Sequence, residues 1–206
     1  MTRRPVLGLV GQVCAGKGAV AEAFRRRGAR IFDADRAVHA LYGRADVQAE
    51  VRRVFGPGVF DAVGQVDRGK LAAVVFERPG RLDELTGILF PRVGAEVRAA
   101  RAEFERSADP ALVLDAPTLF EAGRAGECDR IVFVAAPEER RARWAAGRGW
   151  PPDELARRER CLSNENDKRS RCHAVIENRG SLEDLDRQVG ELWRKWIAGE
   201  KEECKA

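Results

Sequence analysis

Residues 5–18, PVLGLVGQVCAGKG, decide the fold. Residues 5–10 form a short, unbroken apolar run, the pattern of a strand buried on both faces. The run leads into Gly11-Gln12-Val13-Cys14-Ala15-Gly16-Lys17-Gly18, which has the spacing G-x-x-x-x-G-K. From Ala15 or Gly16 a helix is expected through Arg27, with Val20, Ala21 and Phe24 on one apolar face and Gly28 as its stop. This strand–loop–helix context gives the loop its chemistry. Glycines let successive backbone N–H groups turn toward phosphate oxygens at the positive end of the following helix dipole. Lys17 then brings an ammonium to the β- and γ-phosphates of a nucleotide. The expected nucleotide-binding segment is therefore Gly11, Gln12, Val13, Cys14, Ala15, Gly16, Lys17, Gly18 and Ala19. Gly18 stands where most such loops place a Ser or Thr hydroxyl on Mg²⁺, and Ala19 offers none next door.

Outward from this segment the alternation repeats. Residues 29–32 form a second apolar run ending at Asp33, 111–114 a third ending at Asp115, and 130–135 a fourth followed by Pro137. A weaker fifth, 174–176, ends at Asn178 before a last helix from Leu182 to about Ile197. Continuous apolar strands alternating with helices imply a parallel sheet covered on both faces. Two stretches interrupt the alternation. Residues 36–109 read as helical throughout, over 37–42, 46–55, 67–76 and 81 to about 105. Residues 137–172 form a second insertion, rich in arginine. Insertions after the carboxyl ends of parallel strands lie over the edge where such sheets bind ligands. One domain is expected over 1–206, with its core in 1–35, 110–136 and 173–198 and a charged, frayed tail over 199–206.

Composition narrows the function. Hydrophobic residues make up 44% of the chain and charged residues 34%, a globular balance that excludes a disordered or collagen-like chain. No apolar run approaches the ~20 residues of a membrane-crossing helix. Residues 6–10 are too short for a signal-peptide core, so a soluble, cytoplasmic protein without a membrane partner is expected. The 37 basic residues against 33 acidic ones leave a net charge of +4, which suits an anionic substrate without requiring nucleic acid. Cys14, Cys128, Cys161, Cys172 and Cys204 form no C-x-x-C pair, and His39 and His173 are the two histidines of the chain. These counts argue against a disulfide framework, a zinc ribbon and histidine-based nucleophilic or metal chemistry. Carboxylates, arginines and Lys17 remain. No repeat or coiled-coil seam points to an oligomer, and a monomer is expected.

Asp33-Ala34-Asp35-Arg36 follows the second strand at the ligand edge. Two aspartates spaced i, i+2 there can divide their tasks. One caps the next helix while the other takes the proton from an acceptor hydroxyl attacking a γ-phosphate; capping alone is the alternative for both. Asp115, before Ala116-Pro117, is placed to hold Mg²⁺ or its waters, with a plain strand-end cap as the alternative. Arg140, Arg141, Arg143 and Arg148 are expected on the first helix of the second insertion. An arginine there can stabilise the charge that spreads over a transferring phosphoryl group, and a solvated helix face is the alternative for any single one. Trp144 and Trp150 read as core or lid packing.

In this order the motifs resemble the dephospho-CoA kinase family over nearly the whole chain. The resemblance is carried by residues 7–17, by Gly28-Ala29 with Asp33-Ala34-Asp35-Arg36, by Phe55-Gly56, and by Asp67-Arg68 with Leu71 and Val75-Phe76. Val113-Leu114-Asp115-Ala116-Pro117 with Phe120-Glu121 continues it, then Arg143, Arg148, Lys168 and Val175-Ile176-Glu177-Asn178 before Gly180-Ser181. The resemblance implies an α/β fold of P-loop NTPase type, a parallel sheet flanked by helices. It makes 36–109 a helical acceptor-substrate insertion and 137–172 a helical lid. It also implies an ATP-dependent kinase, served by Mg²⁺, that phosphorylates the ribose 3′-hydroxyl of dephospho-CoA in the last step of coenzyme A synthesis. Under it Asp35 is the base, and Lys17 and Arg143 are the other catalytic groups. The loop from Gly11 to Ala19 binds ATP with Arg143 and Arg148. Asp33, Asp35, Asp115 and Phe90 meet the acceptor, and Asp115 holds Mg²⁺ through water.

The chain departs from the family pattern at Gly18, and at Phe90-Pro91 in place of a His-Pro pair. It departs again near Leu162, where a glutamine is expected, at Cys172-His173 in place of Ala-Asp, and at Arg140 in place of a lid glutamine. Two other readings stay open: another small-molecule or nucleotide kinase on the same fold, and a degenerate homologue that binds nucleotide without turnover.

Overall fold

Five strands carry the alternation seen in the sequence: β1 (Val6–Gly11), β2 (Arg30–Asp33), β3 (Leu112–Asp115), β4 (Arg130–Ala135) and β5 (Ala174–Glu177). The computed structural model describes residues 3–77, 80–160, 162 and 164–199; Cys161, Cys204 and the tail expected beyond Gly199 lie outside the described residues. The strands form a parallel sheet in the order β2-β3-β1-β4-β5, so β1 is central. Leu9 of β1 sits opposite Asp115 of β3 and Val132 of β4.

Side chains alternate between two layers, which is why these strands show no polar alternation. On one face Leu7, Leu9, Val113, Val132 and Val134 join a core with Val20 and Phe24 of α1 (Lys17–Arg26) and Leu185 and Val189 of α9 (Leu182–Trp193). On the other, Val10, Ile131, Phe133 and Ala135 pack with Leu119. Each fully buried Leu or Phe here contributes about 1.5–3 kcal/mol. The chain leaves β1 toward β2 at one edge and leaves β4 toward β5 at the other. The carboxyl ends of β1 and β4 therefore mark the reversal in strand order where open sheets bind ligands.

The chain divides into two compact units, Met1–Phe32 with Arg101–Ala206 and Asp33–Ala100. Besides the sheet, the first unit holds three short helices in the arginine-rich stretch, α6 (Glu138–Gly147), α7 (Glu154–Arg160) and α8 (Glu165–Ser170). The second is helical, with α2 (Ala34–Leu41), α3 (Ala45–Phe55), α4 (Arg68–Glu77) and most of α5 (Arg81–Arg106). Helix α2 begins three residues earlier than the sequence pattern suggests, because Asp33 accepts from the Arg36 N–H at 2.9 Å and caps it there. Arg92 of α5 holds α3 through Asp46 and Glu50, at 3.0 and 3.1 Å. Among the described residues no helix is long and apolar enough to cross a membrane.

Candidate active site

The loop between β1 and α1 is held by contacts that admit little variation. A Cβ on Gly11 would lie 2.2 Å from the Val134 carbonyl oxygen, so β1 approaches β4 more closely there than any side chain allows. Gly16 caps α1 with φ of 89°, and a Cβ on it would meet Asn178 Nδ2 at 2.4 Å. Asn178, buried just past β5, donates from Nδ2 to the Ala15 carbonyl at 3.0 Å and from its own N–H to the Ala135 carbonyl at 2.7 Å. The sequence pointed to Asn178 only as part of a matching motif; its clamp on the loop depends on β5 ending beside β1's loop, a tertiary fact. Lys17 Nζ donates to the Gln12 carbonyl at 3.4 Å across the loop. The first N–H groups of any helix lack intrahelical acceptors, and those of α1 open onto this loop. Gln12 Oε1 accepts from the Ala136 N–H at 2.7 Å, and its Nε2 donates to Glu165 of α8 at 2.7 Å. Around Gly18 a Cβ would meet no heavy atom within 4 Å, so a hydroxyl there has room.

Asp115 is half-buried at the carboxyl end of β3, and the next residue, Ala116, donates to the Leu9 carbonyl at 3.2 Å. The loop that follows is anchored by Lys168 of α8. Its Nζ lies 2.6 Å from Glu121 Oε1 and 3.4 Å from the Pro117 carbonyl, with the whole residue only 2% exposed. Among the described residues no group of three His, Cys, Asp or Glu side chains is placed to hold a metal by itself. One carboxylate beside a phosphate-binding loop, with no hydroxyl at positions 18 or 19, is nonetheless an oxygen-donor setting that fits Mg²⁺. That ion keeps several waters and takes one or two carboxylates plus phosphate oxygens.

The structure sorts the four arginines that the sequence could only group. Arg140 donates to the Gly180 carbonyl at 2.8 Å and lies over the Trp144 ring. Arg141 is buried, ion-paired with Glu159 of α7 and bonded to the Ala136 carbonyl at 3.2 Å. Arg148, one residue past α6 rather than on it, approaches Cys14 Sγ at 3.6 Å. Arg143 is exposed and, among the described residues, has no hydrogen-bond, ion-pair or ring partner. Ala145, Leu155, Trp144 and Trp150 pack against Val13 and Cys14 of the loop, which roots this helical stretch on the nucleotide segment.

The remaining expected site residues belong to the helical unit. Asp33 is exposed and caps α2; Asp35 is exposed in its first turn; Phe90 is half-buried within α5, next to Pro91. One turn beyond Asp35, His39 Nδ1 lies 3.1 Å from Arg68 of α4. Tyr42, just past the end of that helix, has its phenol pushed up to about 12 by burial, against the opposing charge of Arg68.

A glycine loop closing β1 onto α1, beside an acidic end of β3, suits phosphate binding, and known proteins of similar sequence agree. The dephospho-CoA kinase family model matches residues 5–184. The dephospho-CoA kinase of Symbiobacterium thermophilum is 37% identical over 198 residues, covering 95% of this chain and 82% of that protein. That of Deinococcus radiodurans is 37% identical over 206 residues, covering 95% and 98%. A solved structure from Thermus thermophilus superposes with a TM-score of 0.76 at 34% identity, covering 94% of this chain and 98% of that one. With the sheet order, the loop and these likenesses in agreement, the chain belongs to the dephospho-CoA kinase family and is a kinase.

Proposed function

We propose that this kinase transfers the γ-phosphoryl group of ATP to the ribose 3′-hydroxyl of dephospho-CoA, releasing ADP and coenzyme A. The observation that carries the reading is the family match over 5–184, which runs through both the Gly11–Lys17 loop and Asp35. In it the loop N–H groups and Lys17 hold the β- and γ-phosphates, with Arg148 beside them. Arg143, the α6 arginine without a protein partner among the described residues, reaches the transferring group and balances its charge. Asp35 takes the proton from the 3′-hydroxyl as that oxygen bonds to the γ-phosphorus and the bond to the ADP oxygen breaks. Asp33 and Phe90 line the acceptor side. Asp115 is the residue that would hold Mg²⁺, through water. When bound, that ion neutralises charge on the phosphate oxygens. The stretch 36–109 serves as the acceptor insertion and 137–172 as a lid that excludes water from ATP. The protein acts as a cytoplasmic monomer with no nucleic-acid or membrane partner.

The test is ADP release from ATP and Mg²⁺, with and without dephospho-CoA, beside AMP and adenosine as rival acceptors. Release that requires dephospho-CoA is expected. Release with a rival alone would move the acceptor assignment, and silence from a folded, ATP-binding protein would sink the catalytic one.

A further inference from the structure

Among the described residues, the helical unit's carboxylates pair with some of its arginines and leave others alone, Arg68 among them. Arg44 pairs with Asp46, Arg81 with Glu84, and Arg92 with Asp46 and Glu50. Arg68, exposed at the start of α4, forms no ion pair among the described residues; its guanidinium instead lies 3.1 Å from the His39 ring nitrogen Nδ1. The nearest acid in sequence, Asp67, is occupied in capping α4, accepting from the Gly69 and Lys70 N–H groups at 2.9 and 3.1 Å, with Lys70 Nζ 3.8 Å away.

The contact with His39 has a chemical consequence. A guanidinium only donates, so Nδ1 of His39 must accept, and the ring proton sits on Nε2. His39 and Arg68 therefore present donors only: the imidazole Nε2–H and the remaining guanidinium N–H groups. Both residues are exposed. His39 lies four residues after Asp35 on α2, which puts their Cβ atoms about 5–6 Å apart on one helix face. A base and a pair of anion-directed donors thus share a face, separated by one turn of about 5.4 Å.

We infer that Arg68 and His39 form a subsite for the diphosphate of the acceptor. The inference rests on the reading that Asp35 serves the 3′-hydroxyl of dephospho-CoA. In that molecule the diphosphate hangs from the 5′-oxygen of the same ribose, so an anion must lie a few ångströms from the hydroxyl that Asp35 meets. Arginine's planar fork matches phosphate oxygens, and an arginine without a carboxylate partner keeps its charge for a ligand. The subsite would select acceptors with a charged 5′ substituent over a plain nucleoside, independently of how ATP is held.

Initial rates for wild type, Arg68→Ala and Arg68→Lys test it, with dephospho-CoA and ATP varied in turn. For Arg68→Ala, KM for dephospho-CoA should rise tenfold or more, with KM for ATP and kcat within twofold of wild type and the melting temperature unchanged. Arg68→Lys should fall between the two, since it keeps the charge and loses the fork. A wild-type KM for dephospho-CoA in Arg68→Ala, or equal changes in both KM values, would overturn the subsite while leaving the kinase reading intact. A wild-type enzyme that releases no ADP with dephospho-CoA would bring down that reading, and the subsite with it.

Discussion

Around the phosphate loop three buried polar side chains already have protein partners: Asn178 holds the Ala15 carbonyl, Arg141 holds Glu159, and Lys168 holds Glu121. The face of α2 that carries Asp35 and His39 is different. Its groups are exposed, and the charge of Arg68 beside it meets no carboxylate among the described residues. One region is preorganised before any substrate arrives, so its residues serve the fold and the reaction together. In the proposed reading the other waits for substrate, so the residues on it serve the reaction rather than the fold. Substitutions should separate accordingly, with stability and activity moving together in the first region and activity moving by itself in the second.

The largest expected effect belongs to the open face. Asp35→Asn should lower kcat by about 10²–10⁴-fold, the usual worth of a general base, with ATP binding and melting temperature unchanged. Near-normal turnover would remove Asp35 from that role and make Asp33 the next candidate. In the preorganised region, Lys168→Met should cost roughly 3–5 kcal/mol in denaturant unfolding, because it strips a partly buried Glu121 of its lysine. Adding Glu121→Leu should restore most of that loss. A Lys168→Met protein of unchanged stability would contradict the comparison. A smaller effect sharpens it: Gly18→Thr puts a hydroxyl into open space, and should lower the Mg²⁺ concentration for half-maximal rate several-fold without changing the melting temperature.

The smallest effect lies far from the loop, between α1 and α9. Hydrogen bonds from Arg27 and then Arg26 hold the Asp186 carboxyl well below the usual carboxylate range. Its contribution is therefore present above the unfolded value of about 3.9 and is lost as pH falls through the lower folded one. The carboxylate is more than a third exposed, which limits the pair to about 1 kcal/mol or less. Asp186→Asn should lower the melting temperature by about 2–4 °C at pH 7, with the gap to wild type closing below about pH 4.

Much of this could be read from the residues. Apolar runs at 6–10, 112–114 and 131–135 are strands because only a sheet buried on both faces accepts them, and the glycines at 11 and 16 announced the loop. The start of α2 was missed by three residues because Ala34 and Asp35 carry no helical periodicity; the Asp33 cap sets that boundary. The arginines were illegible for a deeper reason. Arg140, Arg141 and Arg143 are one residue type within four positions, and what separates them is the carbonyl, the carboxylate or the solvent that the tertiary structure puts opposite each. The clamp that Asn178 makes on the Ala15 carbonyl is hidden from the sequence for the same reason.

The central position of β1 also bears on how the protein is made. Its hydrogen-bonded neighbours, β3 and β4, begin at Leu112 and Arg130, about a hundred residues after β1 ends. At a synthesis rate of about 5–20 residues per second, β1 waits at least several seconds with both edges open. The helical unit, whose residues all emerge in that interval, has every chance to form first. The nucleotide loop takes shape only when β4, and finally Asn178 after β5, arrive to hold it, so the catalytic end of the nascent chain is among the last parts to become native.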